Sequence, residues 1–146
     1  VDLGFNYRMD DIRASIGIAQ LGKLSNDIRK REEIRKIYVE SLKDIDEIII
    51  PFHESKDLSS NYIFPIVLKN SNYKNRNRIR ESMSISGVQT SVHYPAVHLF
   101  SIFRNYMKDL KNTEYVSDNL ITFPLFASLT LEKLQYITKC FKSSLK

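Results

Sequence analysis

The chain has 146 residues, of which 42% are hydrophobic, and it contains eight Phe and eight Tyr. A chain of this length suits one domain that buries about two-thirds of its unfolded surface. Because so many residues are apolar or aromatic, the composition excludes a disordered chain and predicts a folded core.

The net charge indicates which binding partners to expect, and the cysteine count indicates the cellular compartment. The net charge is +5, from 22 basic and 17 acidic residues, but both signs mix in 29–33 as on a solvated helix face. We therefore expect neither a nucleic acid nor a membrane as partner, and no apolar run approaches the roughly 18 to 20 residues of a membrane span. The single Cys140 excludes an internal disulfide and predicts a reducing compartment, the cytoplasm.

The first predicted helix runs from Asp10, a favourable N-cap, to about Leu21. Its positions Ile12, Ile16 and Ala19 follow helical spacing, and small or apolar residues lie on its other faces as well. Because little in the chain could cover this helix, we expect it to be poorly ordered or buried against a partner chain.

Further helices are predicted, most of them from their capping residues. They run from Ser25 to about Lys43, from Ser71 or Asn72 to a C′ glycine at Gly87, over about 113–119, and from Thr130 towards the end of the chain. An aromatic-rich piece, 99–107, is expected to be irregular or helical. The residues expected to face inward are Ile79 and Met83, with the neighbouring arginines outward, and Leu134, Ile137, Phe141 and Leu145.

Four strands are predicted, over 48–50, 62–68, 88–93 and 121–125. Pro65 cannot donate to a ladder, so we expect its strand to lie on an edge or to bulge. In 88–93 the side chains alternate, which places Gln89, Ser91 and His93 on one face. The order of elements predicts an α+β fold, a small mixed or antiparallel sheet with helices packed on one face.

The residues alone do not provide a complete catalytic set. Metal-binding pairs such as CxxC or HExxH, Gly-rich phosphate loops and serine nucleophile motifs are missing from the sequence. His93 and His98 are five residues apart with no carboxylate between them, so we predict no metal site. His53 lies in a polar loop and is read as a solvated histidine.

Three stretches together are similar to one enzyme family. Gly4–Ile12 reads G-F-N-Y-R-M-D-D-I, Gly87–His98 contains T-S-V-H-Y-P-A-V-H, and Phe123–Thr130 reads F-P-L-F-A-S-L-T. In this order they resemble the sugar-nucleotide aminotransferases of the DegT/StrS family, which are fold-type I enzymes that use pyridoxal 5′-phosphate (PLP). Ser15 departs from the family pattern, where a second alanine is usual.

The resemblance implies a division of the chain. Residues 1–24 would be an interdomain or dimer-interface segment with the first helix, and 25–146 would be the small C-terminal α+β domain of such an enzyme. The PLP-binding large domain, with its Schiff-base lysine, is expected to be absent from this sequence. The chain begins within a motif at Val1, so we expect a piece of an enzyme that is inactive alone.

The resemblance also implies where the site residues lie. Asn6 and Arg8 would contact the cofactor, with Asn6 at the PLP phosphate of the neighbouring subunit of a homodimer. The residues that would line the substrate side are Tyr7, His93, Tyr94 and His98. No catalytic residue and no metal ligand is assigned. The parent enzyme would move an amino group from glutamate or a similar amino acid to a keto-sugar nucleotide.

Two other readings stay open at this point. The chain could be a non-catalytic binding or assembly module derived from this family, because the lysine-bearing domain is missing. It could also be a basic DNA-binding protein in which 10–43 forms a helix-turn-helix, because two consecutive helices and a positive net charge are predicted. The second reading leaves the C-terminal two-thirds unexplained.

Overall fold

The fold is that of a computed structural model, which describes residues 4–5, 7–55, 57, 59–106 and 108–145. Its elements are α1 (Asp11–Leu42), β1 (Ile48–Ile49), β2 (Phe64–Leu68), α2 (Tyr73–Ile85), 3₁₀ turns at Val97–Leu99 and Ser101–Tyr106, α3 (Lys111–Asn119), β3 (Leu120–Phe123) and α4 (Leu131–Ser144). This arrangement confirms the predicted α+β class. In the described part of the chain, no helix has the length and apolarity to cross a bilayer.

The sheet has three antiparallel strands in the order β1-β2-β3. Its register, with Phe64 opposite Phe123 and Ile66 opposite Ile121, puts these four side chains on one face. All four are buried there with Tyr38, Met83 and Phe141 from α1, α2 and α4. Three helices therefore cover this face, as predicted.

The opposite face of the sheet is buried as well. Val67 and Leu120 are paired in register, each about 5% exposed or less, and they lie outside the main core cluster. α3 reaches β2, where the Tyr115 hydroxyl donates to the Leu68 carbonyl at 3.1 Å. Thr122 lies on this second face as well, since it is two residues from Leu120 in β3.

Pro65 does not place its strand at an edge of the sheet, because β2 is the central strand. Thr122, opposite Pro65, uses both of its backbone groups on Ser91. In an antiparallel ladder this makes Pro65–Thr122 a non-hydrogen-bonded pair, so the nitrogen of Pro65 points away from β3. On the other side of β2, β1 pairs only with Val67 and Leu68, so Pro65 needs no backbone N–H to bond to β1 either.

The two predicted N-terminal helices are one continuous helix, which corrects the prediction of a break at Ser25. Asp10 caps it as predicted, accepting from the Arg13 N–H at 2.8 Å. Extending a formed helix costs less than nucleating another, and Gly22 opposes this by only about 1 kcal/mol. The first predicted helix thus forms as the N-terminal part of α1, and the break needed for a helix-turn-helix is not present in 10–43.

Several predicted features of the second half are confirmed. Asn72 caps α2 by accepting from two backbone N–H groups at 3.0 and 3.1 Å, and Gly87 follows it with φ of 77°. Thr130 caps α4, whose residues Leu134, Ile137 and Phe141 are buried.

Two predictions for this half were wrong. Residues 88–93 form one isolated bridge at Ser91 and not a full strand, although Val88 and Thr90 are buried in alternation. The arginines of α2 do not all point outward either. Arg76 is 5% exposed, and its Nη1 donates to the Ser117 carbonyl at 3.5 Å, a contact that the local sequence could not indicate.

Candidate functional site

A cleft of about 660 Å³ opens between the segment after α2, the end of β3 and the first turns of α4. We call it the β3 cleft. Its polar lining comes from Gln89, Ser91 and His93 of the segment after α2, Thr122 of β3 and Lys133 of α4. Apolar side chains, among them Leu125 and Ile137, complete the lining.

The segment that carries His93 is fixed to the sheet by backbone groups. The Ser91 N–H donates to the Thr122 carbonyl at 3.1 Å, and the Thr122 N–H donates to the Ser91 carbonyl at 2.8 Å. Because side chains alternate along extended backbone, Gln89, Ser91 and His93 follow one another on the same side. The prediction that they share a face is consistent with all three lining the β3 cleft.

Two buried polar atoms in the cleft have no hydrogen-bond partner in the described part of the chain: His93 Nδ1 and Thr122 Oγ1. The Thr122 side chain belongs to a residue only 4% exposed. Buried polar groups in folded proteins are normally paired, and leaving one unpaired costs about 1–3 kcal/mol. Both groups thus lie beside the cleft with unused hydrogen-bonding capacity, and because both atoms are covered, a ligand oxygen or water would reach them only after a side-chain movement.

The electrostatic character of the cleft suits an anionic or hydroxyl-rich ligand. Lys133 supplies a positive charge at one wall, and the described lining residues include no carboxylate. Lys133 also lies in the first turn of α4, the end where the helix dipole favours an anion. Tyr136, one turn further on, is oriented by donating to the Ser86 carbonyl at 2.9 Å.

The other two predicted substrate residues of this turn, Tyr94 and His98, lie outside the β3 cleft. Tyr94 is 68% exposed, and its ring meets the His93 ring edge-on with centroids 4.9 Å apart. The peptide bond between these two residues is cis. Tyr94 does not line the β3 cleft, but it stands beside His93 at the surface.

His98 is directed towards α3. Its Nε2 lies 3.0 Å from Glu114 Oε1, and its side chain is only 13% exposed. The hydrogen bond from His98, helped by one from the Leu110 N–H, lowers the pKa of Glu114 below the ordinary glutamate value. With Nε2 in this contact, only Nδ1 of His98 could meet a ligand.

Two of the predicted N-terminal site residues, Tyr7 and Arg8, immediately precede α1. Tyr7 is 86% exposed and Arg8 is also exposed, and neither lines the β3 cleft. Asn6 lies outside the described residues. The structure therefore brings His93 and Tyr94 together, whereas Tyr7 and Arg8 are exposed outside the β3 cleft.

Sequence reasoning missed part of the cleft. Thr122 looked like an ordinary strand residue and Lys133 like an exposed helix residue, and nothing in their local patterns marks them. They reach the site only because β3 pairs with Ser91 and α4 packs beside it. The alternation in 88–93 was the one signal that pointed to Gln89 and Ser91.

Comparison with protein families decides the relationship. The model of the DegT/DnrJ/EryC1/StrS aminotransferase family matches residues 1–142. The chain belongs to this family. The UDP-4-amino-4,6-dideoxy-N-acetyl-beta-L-altrosamine transaminase of Helicobacter pylori is 30% identical over 138 residues, which are 92% of this chain and 36% of the transaminase.

Solved structures of family members have the same fold. Helicobacter pylori PseC, an aminotransferase involved in the biosynthesis of pseudoaminic acid, superposes with a TM-score of 0.90 at 27% identity, over 99% of this chain and 39% of its own. A Streptococcus pneumoniae protein assigned as a sugar aminotransferase gives 0.84 at 27% identity in its PMP form, over 94% of this chain and 35% of its own, and it is also known in a PLP form. This chain thus spans little more than a third of such enzymes, and PLP is the cofactor that the family implies.

Proposed function

We propose that this chain is the C-terminal domain of a PLP-dependent sugar-nucleotide aminotransferase and that it supplies the substrate side of the active site. The family match over residues 1–142, together with the open cleft at His93, carries the proposal. In the complete enzyme an amino group would pass from glutamate to the keto carbon of a nucleotide-linked sugar. The donor would leave as 2-oxoglutarate, so the donor is oxidised and the sugar carbon is reduced to an amine.

The β3 cleft does not form a PLP site by itself. A PLP site needs a lysine for the Schiff base and an acidic or arginine partner for the pyridine nitrogen. The described lining of the β3 cleft contains Lys133 but no carboxylate or arginine, so this cleft does not supply the complete set. PLP, which acts as an electron sink when bound, would be held mainly by the large domain. From this chain, Asn6 and Arg8 would reach the cofactor phosphate of the neighbouring subunit, where an amide and a guanidinium both donate hydrogen bonds.

We assign the substrate contacts to the side chains around the turn. His93 would hydrogen-bond a sugar hydroxyl or a phosphate oxygen, and Tyr94 beside it would offer a phenol at the surface. Lys133 would attract the diphosphate without needing a bidentate geometry. Tyr7, from the N-terminal segment, and His98, through Nδ1, complete the proposed substrate wall.

Residues 1–24 form the proposed interface segment. The side chains of Ile12, Ile16 and Leu21 are 74%, 57% and 68% exposed, so this part of α1 has apolar surface that the described chain does not cover. The large domain and the second subunit of a homodimer are the partners we propose for it. We expect the complete enzyme to act in the cytoplasm, with no nucleic acid or membrane as partner.

The decisive experiment starts at the gene. Our proposal requires a lysine-bearing PLP domain encoded in frame upstream of Val1, and the resulting protein should form 2-oxoglutarate from glutamate only when a keto-sugar nucleotide is present. His93→Ala should lower the activity at least tenfold, whereas His53→Ala, in an exposed loop, should leave it unchanged. The 146-residue chain alone, mixed with PLP and then desalted, should retain no stoichiometric PLP absorbance, whereas the complete enzyme should.

The second candidate function is a binding or assembly module without catalysis. The presence of a formed cleft in a chain that spans little more than a third of its relatives favours it as the alternative. A gene that encodes no PLP domain upstream, with a protein that still binds a nucleotide-sugar, would replace our proposal with this one.

A further inference from the structure

The turn that presents His93 and Tyr94 is attached to α3 at two points. The first is the side-chain contact of His98 Nε2 with Glu114 Oε1 at 3.0 Å. The second is a backbone contact, in which the Ala96 N–H donates to the Ser117 hydroxyl at 2.9 Å. Ala96 is 6% exposed, so this N–H lies where water offers little replacement.

Glu114 and Ser117 are placed to act together. They are three residues apart on α3, so they lie on the same face of the helix, which is the face turned to residues 96–98. Glu114 also accepts the Leu110 N–H at 3.4 Å, so its carboxylate is fixed at the start of its own helix. A carboxylate is favoured there by the helix dipole.

α3 is itself held to the body of the domain. The Tyr115 hydroxyl donates to the Leu68 carbonyl of β2 at 3.1 Å, and Arg76 of α2 donates to the Ser117 carbonyl at 3.5 Å. Asn119 is 2% exposed and donates back to the Tyr115 carbonyl at 2.8 Å. These contacts fix α3 relative to the sheet, and α3 in turn holds residues 96–98.

We propose that Glu114 and Ser117 are positioning residues, which hold the turn 93–98 so that His93 stays in the β3 cleft with Tyr94 beside it. They act through His98 and the Ala96 N–H and not by contact with the ligand. The inference deepens the proposed function and rests on it for the role in substrate binding. The attachment itself depends only on this chain.

The first test uses NMR to measure amide hydrogen exchange and the histidine signals of the 146-residue chain without ligand. Glu114→Ala and Ser117→Ala should each raise the exchange rate of the Ala96 N–H at least tenfold and shift the imidazole signals of His93. Glu114→Gln keeps an oxygen acceptor, and Ser117→Thr keeps a hydroxyl, so both should restore the wild-type pattern. Glu81→Ala, which removes an exposed carboxylate from α2, is the matched control.

Two results would overturn the attachment. One is an Ala96 exchange rate and a His93 signal that stay unchanged in the alanine variants. The other is an equal rise of exchange in β2 and α4, which would show that the substitutions loosen the whole domain. Because Glu114 and Ser117 hold the turn through separate contacts, the second alanine variant still tests the attachment if the first does not fold.

The second test uses the complete enzyme. Glu114→Ala should raise the KM for the sugar nucleotide about tenfold with a smaller effect on the KM for glutamate, and Glu114→Gln should recover most of the difference. An equal loss for both substrates would contradict the positioning role. If the enzyme has no transaminase activity at all but the exchange pattern appears, the proposed function fails and the attachment stands.

Discussion

Ser91 and Thr122 exchange two backbone hydrogen bonds, of 3.1 and 2.8 Å, and this isolated bridge joins the segment after α2 to the sheet. It leaves the Thr122 hydroxyl beside the β3 cleft with no partner among the described residues. Both backbone groups of Thr122 are thus hydrogen-bonded within the chain, whereas its buried hydroxyl is not.

Thr122→Val tests that division. Valine has nearly the same shape, so the backbone pair should persist while an unpaired buried hydroxyl is removed. We expect the free energy of unfolding to rise or stay level, by about 0–1 kcal/mol, in urea titrations. In the complete enzyme, the same substitution should weaken sugar-nucleotide binding severalfold.

Thr138→Val is the matched control for that experiment. The Thr138 hydroxyl is also in a buried residue, but it donates to the carbonyls of Leu134 and Gln135 at 3.2 and 2.9 Å. Its replacement should not affect binding, and it should not stabilise the chain. Equal effects of the two substitutions would show that the Thr122 hydroxyl has no special role.

Tyr38 provides a prediction for the core. Its ring stacks on Phe64 with centroids 4.7 Å apart, and its hydroxyl donates to the Pro124 carbonyl at 2.8 Å, next to the cleft. Tyr38→Phe removes that hydrogen bond and should reduce the free energy of unfolding by about 1 kcal/mol. Tyr38→Ala, which leaves a large cavity, should cost about 3–5 kcal/mol.

The same residue predicts a dependence on alkaline pH. Burial raises the pKa of Tyr38 above its ordinary value of 10.0. The phenol is therefore harder to ionise when folded, and its contribution is complete below pH 10 and is lost as the pH rises above it. Urea titrations at pH 9 and 11 should show a smaller loss of stability in Tyr38→Phe than in the wild type.

The sequence predicted those elements whose cause is local. Asn72, Gly87 and Thr130 mark helix ends because their capping groups act on neighbouring backbone, and all three lie where expected. The break at Ser25 was wrong because a good N-cap residue does not end a helix that can simply continue. Capping residues mark possible helix ends, but a helix continues through such a residue when extension is more favourable than termination.

Only those residues of the site that lie in one continuous segment could be predicted from the sequence. The spacing in 88–93 places His93 with Gln89, but the arrival of Thr122 depends on strand pairing at long range. The contact of His98 with Glu114 joins residues sixteen positions apart, and no periodicity indicates it. The substrate roles of Tyr7, His93, Tyr94 and His98 remain predictions, as does the cofactor role of Arg8, while Asn6 lies outside the described residues.

Glu114 provides a prediction for acidic pH. The hydrogen bond with His98 lowers the pKa of this carboxyl from its ordinary value of 4.5. The folded state is therefore favoured above that value, and the contribution is lost as the pH falls below it and the carboxylate gains a proton. Glu114→Gln cannot titrate, so its stability should fall less between pH 6 and 3 than that of the wild type.

The control for this experiment is Glu81→Gln, on α2. If the two glutamines flatten the pH dependence to the same extent, the effect belongs to net charge and not to the contact with His98. A steeper acid loss in Glu114→Gln than in the wild type would contradict the direction of the pKa change.

The two ends of α1 should respond differently to substitution. Ile16 and Leu21 are 57% and 68% exposed, so Ile16→Glu and Leu21→Glu should change the free energy of unfolding of this chain by less than about 0.5 kcal/mol. Ile34, on the same helix, is 6% exposed within the core, and Ile34→Ala should cost about 2–5 kcal/mol. Urea titrations measure all three.

The same variants separate an interface from plain exposed surface. If the start of α1 packs against a second subunit or a large domain, Ile16→Glu places a charge into that contact and should convert the complete enzyme from dimer to monomer or dissociate its domains. Sedimentation equilibrium measures the mass, and Lys23→Glu, which also puts a glutamate on this exposed helix but replaces no apolar side chain, is the control. A dimer that tolerates Ile16→Glu as well as Lys23→Glu would mean that this apolar surface is not the contact, and the role proposed for residues 1–24 would have to be withdrawn.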